Sequence, residues 1–189
     1  MPDVQCGACI GPFLTEALGF ETPTPIQKLS IEHLLENETD LIAFAQTGTG
    51  KTAAFSLPIL HNLDPDVQHV QAIILAPTRE LCLQIGNDIA SYTKFMDVKV
   101  TSVYGGAPIT KQIKELQGRP QIVVGTPGRT LDLIQRRKLR IEDVQFLVLD
   151  EADEMLSSGF KDQIYNIFQK LSWHYINRKS KIWGFGVLG

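Results

Sequence analysis

Five short, β-rich apolar runs, at residues 41–45, 72–76, 100–104, 121–125 and 146–149, constrain what this chain can fold into more than any other feature. Their hydrophobicity is mostly continuous rather than alternating, the pattern of strands covered on both faces, as in a parallel sheet. The stretches between them have helical spacing. Leu81, Ile85 and Ile89 recur every fourth residue, Ile109, Ile113 and Leu116 follow at i, i+4 and i+7, and Phe160, Ile164, Ile167, Phe168 and Leu171 form a wider stripe. Each stripe predicts an amphipathic helix laid on the sheet. Strand and helix in alternation predict an α/β fold, an open and mostly parallel sheet with helices on both faces and right-handed crossovers. In such sheets ligands bind beyond the carboxyl ends of the strands, so the residues after each run are the candidates for function.

The 189 residues suffice for one domain with a proper core, and with 43% hydrophobic residues and a net charge of -3 they exclude an ordinary disordered chain. No apolar run approaches the ~18 residues of a membrane span and the amino-terminus has no secretory pattern, so a cytoplasmic protein with no membrane partner is expected. Cys6 and Cys9 have metal-ligand spacing but no second Cys or His pair to complete a zinc site, and Cys82 lies among apolar residues as a small hydrophobe. Charge breaks near the carboxyl end. Residues 172–189 hold Arg178, Lys179 and Lys181 and no carboxylate, so the first 171 residues carry all 21 carboxylates against 15 of the 18 cations. Both tryptophans, Trp173 and Trp183, fall in this last stretch.

The first apolar run leads into Ala45, Gln46, Thr47, Gly48, Thr49, Gly50, Lys51 and Thr52, with a helical segment at 53–63 directly behind. Strand, glycine-containing turn and helix start together make a phosphate-binding loop. Gly48 and Gly50 allow backbone N–H groups to converge on phosphate oxygens at a helix N-terminus. Lys51 is placed to reach the β- and γ-phosphates, and the Thr52 hydroxyl to ligate Mg²⁺. The run at 146–149 leads into Asp150 and Glu151. An acid at a strand end facing a phosphate loop can hold the Mg²⁺ shell, and its neighbour can orient or deprotonate the attacking water; Lys51, Asp150 and Glu151 are therefore the candidate catalytic set. The plain structural alternatives are a glycine-rich turn and a helix N-terminus favoured by its dipole.

Six motifs in order, Gly19 to Gln27, Ala45 to Thr52, Pro77 to Leu81, Gly105-Gly106, Thr126 to Arg129 and Asp150-Glu-Ala-Asp153, resemble the motif series of DEAD-box ATP-dependent RNA helicases. The resemblance covers about residues 14–171 and implies a RecA-like P-loop domain, the first of a two-domain motor, using ATP and Mg²⁺. It implies that Phe20, Thr22 and Gln27 belong to the nucleotide side, with Gln27 reading the adenine edge through an amide that both donates and accepts. It further implies that Pro77, Thr78, Arg79, Gly105, Gly106, Thr126, Pro127, Gly128 and Arg129 line one strand of RNA, contacting backbone with little base specificity. A P-loop DNA translocase would account for the phosphate loop and acidic pair but not for Gln27 together with Thr126 to Arg129.

The sequence departs from that pattern in two places. The aromatic residue expected upstream of Gly19 has no counterpart in residues 1–10, and Phe13 lies too close. A Ser-Ala-Thr motif is expected after the Phe160–Leu171 stripe, but the nearest register gives Gly186, Val187 and Leu188. Residues 1–171 are thus expected to be the RecA-like domain. Residues 172–189 would be an atypical end, either replaced or out of frame, or alternatively a divergent sixth strand. The second RecA-like domain is expected to be missing from this chain, which would then be a monomer of very weak ATPase activity, or an inactive nucleotide- and RNA-binding module.

Overall fold

The structure, a computed structural model, describes residues 22–37, 39–46, 48–175 and 181–186. Helix α1 (Pro25–Glu36) precedes strand β1 (Leu41–Phe44), and α2 (Lys51–Asn62) precedes β2 (Ala72–Leu75). Next come α3 (Arg79–Tyr92), β3 (Val100–Val103), α4 (Ile109–Leu116), β4 (Ile122–Gly125) and α5 (Pro127–Gln135). The described chain closes with β5 (Phe146–Asp150), α6 (Ala152–Ser157), α7 (Lys161–Tyr175) and β6 (Lys181–Gly186).

All five apolar runs are strands of one six-stranded sheet in the order β1-β6-β5-β2-β4-β3, and every pairing is parallel. Strand ends differ from expectation by one residue. The most useful difference is at β5, which runs through Asp150 and so fixes that carboxylate on the sheet itself. Alternate residues of the central strands feed two cores. Ala72, Ile74, Ile122, Val124, Phe146 and Val148 pack with Phe55, Ile59, Leu60, Ile85 and Ile89 of α2 and α3 on one face. Ile73, Leu75, Val123 and Leu147 pack with Leu131, Leu133, Ile164, Ile167 and Leu171 of α5 and α7 on the other. Complete burial of a Leu, Ile or Phe contributes about 1.5–3 kcal/mol relative to leaving it in water, which is why β2 and β4, buried along their whole length, are continuously apolar. Cys82 is fully buried in the first core, and burial pushes its thiol up to about 12, so it behaves as the apolar filler expected.

Residues 181–186 occupy an interior position. Strand β6 pairs with β1 on one side, Leu41 level with Trp183, and with β5 on the other, Phe146 level with Lys181. A strand is the local form of these residues, although Lys181, Gly184 and Gly186 interrupt the apolar pattern that marks the other five. Val187 and Leu188 lie outside the described residues. Among the described residues no helix is long and apolar enough to cross a membrane.

Candidate nucleotide and nucleic-acid site

The carboxyl ends of β1 and β5 carry the candidate chemistry, separated by the single strand β6. Phe44 is level with Gly186 and Asp150 with Phe185, so the two ends stand at nearly the same height, roughly 10 Å apart across two strand spacings. The loop leaving β1 turns through Gly48 and Gly50, at φ 78° and 85°, a region that L side chains rarely adopt. Gly50 is the N-cap of α2, and Lys51 and Thr52 form its first turn, where backbone N–H groups have no partner within the helix. Ala45 is half-buried and Gln46 exposed, with the Gln46 carbonyl accepting from Thr49 Oγ1 at 2.7 Å.

Lys51 and Asp150 are both buried, at 8% and 3% exposure, and both carry atoms without a hydrogen-bond partner among the described residues, Nζ and Oδ1. Burial pushes the Asp150 carboxyl up to about 6; the Lys51 ammonium opposes that shift and the Glu151 carboxylate adds to it. Buried polar atoms left without a hydrogen bond are costly, so two of them at the end of β5 and the start of α2 mark a place suited to a polar ligand. Glu151 follows with φ 52° and ψ 49°, a left-handed non-glycine residue at the N-cap of α6. That conformation costs about 1–2 kcal/mol and turns the chain sharply between Asp150 and the helix.

Gln27 connects α1 to this loop. Read without any family it is an exposed helix residue; the structure buries it to 5% exposure. Thr24 and Gln27 form a capping box at the start of α1: Gln27 N–H donates to Thr24 Oγ1 at 3.4 Å and Thr24 N–H donates to Gln27 Oε1 at 2.9 Å. The remaining donors reach the phosphate loop, Gln27 Nε2 to Gly50 O at 3.2 Å and Thr24 Oγ1 to Thr49 O at 2.8 Å. Gln27 is thus tied directly to the Gly50 carbonyl of the loop. Thr22 is exposed just ahead of α1, whereas Phe20 and Thr47 lie outside the described residues.

The other candidates gather along the same edge, after β2, β3 and β4. Thr78 is the N-cap of α3 and accepts from Leu81 N–H at 3.2 Å; Pro77 is buried below it, and Thr78 and Arg79 are exposed. Arg79 lies over the Tyr104 ring, 4.9 Å from its centroid. Gly105 and Gly106 form an exposed turn with Gly106 at φ 77°. Thr126 N–H donates to Val103 O at 3.0 Å, Pro127 opens α5 as the first helical residue, and Gly128 is exposed.

Arg129 is partly committed within the protein. Its Nη1 donates to Gln112 Oε1 at 2.7 Å and its Nη2 to Ala107 O at 3.1 Å. Gln112, 3% exposed, in turn donates from Nε2 to Tyr104 O at 3.1 Å. One buried amide therefore locks the Gly105-Gly106 turn to the start of α5. Sequence reasoning missed Gln112, Tyr104 and Thr24. The signal for Thr24 was available as Thr-x-x-Gln before a helix, but Gln112 interrupts an apolar stripe and has no local mark.

The donor set fits a nucleotide phosphate with Mg²⁺. Two left-handed glycines at a helix N-terminus, a buried ammonium and a carboxylate with one oxygen lacking a hydrogen bond can supply N–H groups, a cation and one metal ligand. Among the described residues no group of three or more His, Cys, Asp or Glu forms a metal cage. Mg²⁺ suits such a place, since it is usually held by one or two protein ligands plus phosphates and water.

Comparison with known proteins gives the family. The chain is 53% identical over 154 residues to the ATP-dependent RNA helicase CshA of Listeria monocytogenes, spanning 82% of this chain and 29% of that protein. It is 52% identical over 155 residues to the ATP-dependent RNA helicase eIF4A of Botryotinia fuckeliana, spanning 82% and 39%. Among solved structures, a DEAD box protein from the hyperthermophile Methanococcus jannaschii matches with a TM-score of 0.84 at 40% identity, over 92% of this chain and 46% of that one. The yeast DEAD-box splicing factor Prp28 matches with a TM-score of 0.87 at 34% identity, over 94% and 44%. The chain thus spans less than half the length of these relatives. Residues 24–185, from the cap of α1 through β6, match the family model described as DEAD/DEAH box helicase, and the chain belongs to that family.

Proposed function

We propose that this chain is the ATP-binding half of an RNA helicase, which contacts RNA through its backbone and couples ATP hydrolysis to duplex remodelling together with a second RecA-like domain. The observation that carries the reading is a pair of buried polar atoms without a hydrogen-bond partner among the described residues, Lys51 Nζ in the first turn of α2 and Asp150 Oδ1 at the end of β5. Lys51 would hold the β- and γ-phosphates, the loop N–H groups would cradle them, and Thr52 and Asp150 would hold Mg²⁺. When bound, Mg²⁺ would neutralise charge on the phosphoryl oxygens and polarise the transferring group. Glu151, set at a sharp turn beside the metal-side acid, would align the attacking water and accept its proton.

Arg79, the Gly105-Gly106 turn, and Thr126, Gly128 and Arg129 would meet successive phosphates along the same edge, where turns present amides without base readout. An arginine donated to the transferring phosphate contributes roughly 10³–10⁵ in rate in related phosphoryl-transfer enzymes, and it is expected from outside these residues. The 189 residues alone are therefore expected to bind ATP but to turn it over very slowly.

The test is a thermal-shift and titration series with ATP and Mg²⁺. Wild type is expected to be stabilised, Lys51→Ala to lose at least tenfold in affinity, and Glu151→Gln to keep binding while losing the residual turnover. Equal turnover in Glu151→Gln and wild type would sink the assigned chemistry, and no nucleotide-induced shift at all would sink the reading. For the RNA side, Gln112→Ala is expected to weaken binding of a short single-stranded RNA about tenfold by freeing Arg129 and the Gly105-Gly106 turn, with the ATP-induced shift unchanged. Unchanged RNA affinity would remove Gln112 from the interface argument.

A further inference from the structure

We propose that a basic cavity at the amino-terminal end of the sheet, opposite the nucleotide edge, is a docking site for an acidic segment of a partner protein. The cavity, about 570 Å³, lies among the segments that enter β2, β4 and β5, and is lined by Arg119, Arg137, Lys138 and Arg140 against one carboxylate, Asp143. That is a marked local excess of positive charge in a chain whose carboxylates outnumber its cations by three. The ion pairs found among the described residues, Lys111 with Glu115 and Arg136 with Asp132, involve none of these four cations. Among the described residues Arg119 reaches an amide, donating from Nη1 to Gln68 Oε1 at 3.3 Å.

A second observation comes from the backbone. Only three non-glycine residues of the described chain have positive φ: Glu151 at the nucleotide site, and Arg119 and Arg137, at 56° and 55°, both in this cavity. Each follows the end of a helix, Arg119 N–H donating to Leu116 O at 3.0 Å after α4 and Arg137 N–H to Ile134 O at 2.9 Å after α5. Glycine is the usual residue at such positions, because a Cβ is strained there. A cation near a helix C-terminus also interacts well with the dipole, but that effect needs only charge in the last turn and no strained residue. Strain of this kind persists where the surroundings hold it in place and often marks ligand clamps.

The cavity wall is built and stiff. Gln121, 3% exposed, donates from Nε2 to Val67 O at 3.0 Å and Pro65 O at 3.4 Å. Gln71, fully buried, donates to Asp64 O at 2.7 Å and accepts from Asp64 N–H at 3.0 Å. These bonds pin the loop that carries Gln68, His69 and Val70 into the lining.

Chemistry selects a peptide over a nucleic acid. Among the described residues no Phe, Tyr or Trp lines the cavity, so these residues offer bases no stacking platform. Gln68 and Gln117 sit among the cations, a mixture that can accept from peptide N–H groups while arginine forks take side-chain carboxylates. The recess holds a few side chains, which fits an Asp- or Glu-rich stretch anchored by one or two residues.

The test uses the full 189-residue chain and a fluorescein-labelled twelve-residue peptide of alternating Glu and Leu. A Gln-for-Glu version and a twelve-nucleotide single-stranded RNA serve as comparisons, all followed by polarisation at two salt concentrations. The acidic peptide is expected to bind with a salt-sensitive affinity at least tenfold above the Gln version. R119G/R137G is expected to lower that affinity at least tenfold while the melting temperature stays level or rises and the shift with ATP and Mg²⁺ is kept. K138E/R140E, which leaves the strained positions alone, is expected to show the same loss should the glycine pair fold poorly. Equal binding of both peptides, or acidic-peptide affinity unchanged in both variants, overturns the proposal. So does a loss in these variants that falls on the RNA and spares the peptide, or self-association of the chain that they abolish. Because the cavity lies on the opposite edge, failure here leaves the ATP-induced shift of wild type intact, and failure of that shift leaves this binding readable.

Discussion

Asp150→Asn is expected to make the nucleotide-free chain more stable than wild type by about 2–3 kcal/mol at pH 7. The carboxyl is buried and its Oδ1 has no partner, and its folded value of about 6 stands above the ordinary 3.8. The folded chain therefore holds this proton more tightly than the unfolded chain does. Below pH ~3.8 the group is protonated in both states and costs nothing; from there to pH ~6 wild-type stability declines relative to the variant, and above that the difference is complete. Melting curves of both proteins between pH 4 and 7, without Mg²⁺ or nucleotide, should converge at the acid end and separate by roughly 5–10 °C at neutrality. With ATP and Mg²⁺ the order should invert, wild type gaining and the variant failing to gain. Parallel curves at every pH would show that Asp150 is not held at this cost.

Gly50→Ala carries the second large effect, in the opposite direction. Two separate penalties meet there. The left-handed backbone at φ 85° resists a side chain, and a Cβ would stand 2.3 Å from Gln27 Nε2 and 3.1 Å from Gln27 Cδ. Gln27 is buried and its amide is committed to Thr24 and to Gly50 itself, so it can yield only by giving up those bonds. Strain of about 1–2 kcal/mol and an unsatisfied buried amide worth about 1–3 kcal/mol together predict a loss of about 2–5 kcal/mol. The melting temperature should fall by roughly 5–15 °C, and the ATP-induced shift should vanish. Gly48→Ala is the internal comparison, since at φ 78° it pays the backbone strain but meets nothing within 4 Å. If both substitutions cost the same, the tie between α1 and the loop contributes nothing.

These predictions rest on features of unequal visibility. The central strands β2, β4 and β5 and the helices between them were legible because burial on both faces forces continuous apolar runs and one-sided stripes, patterns local enough to be read by eye. The phosphate loop and the acids after β5 were legible because their chemistry demands particular residue types next to a strand end. Gln112 was not, because its role is a bridge between Tyr104 and Arg129, which are far apart in sequence and meet only once β3 and β4 are side by side. Nor was the double duty of Gln27, whose second partner is Gly50, 23 residues away. Residues 181–186 read as foreign because Lys181, Gly184 and Gly186 break the apolar pattern and charge changes nearby. Their strand is specified instead by the vacant edges of β1 and β5, which no local window contains.

That placement has a consequence for the order of events on the ribosome. Among the described residues strand β1 pairs only with β6, and Leu41 is level with Trp183, so the strand that leads into the phosphate loop has no ladder partner until residues 181–186 have been made. At about 5–20 residues per second, β1 waits on the order of ten seconds or more after its own synthesis for that partner to arrive. The nucleotide site is then among the last parts of the domain to close, and a nascent chain stalled before Lys181 exposes the strand that bears it.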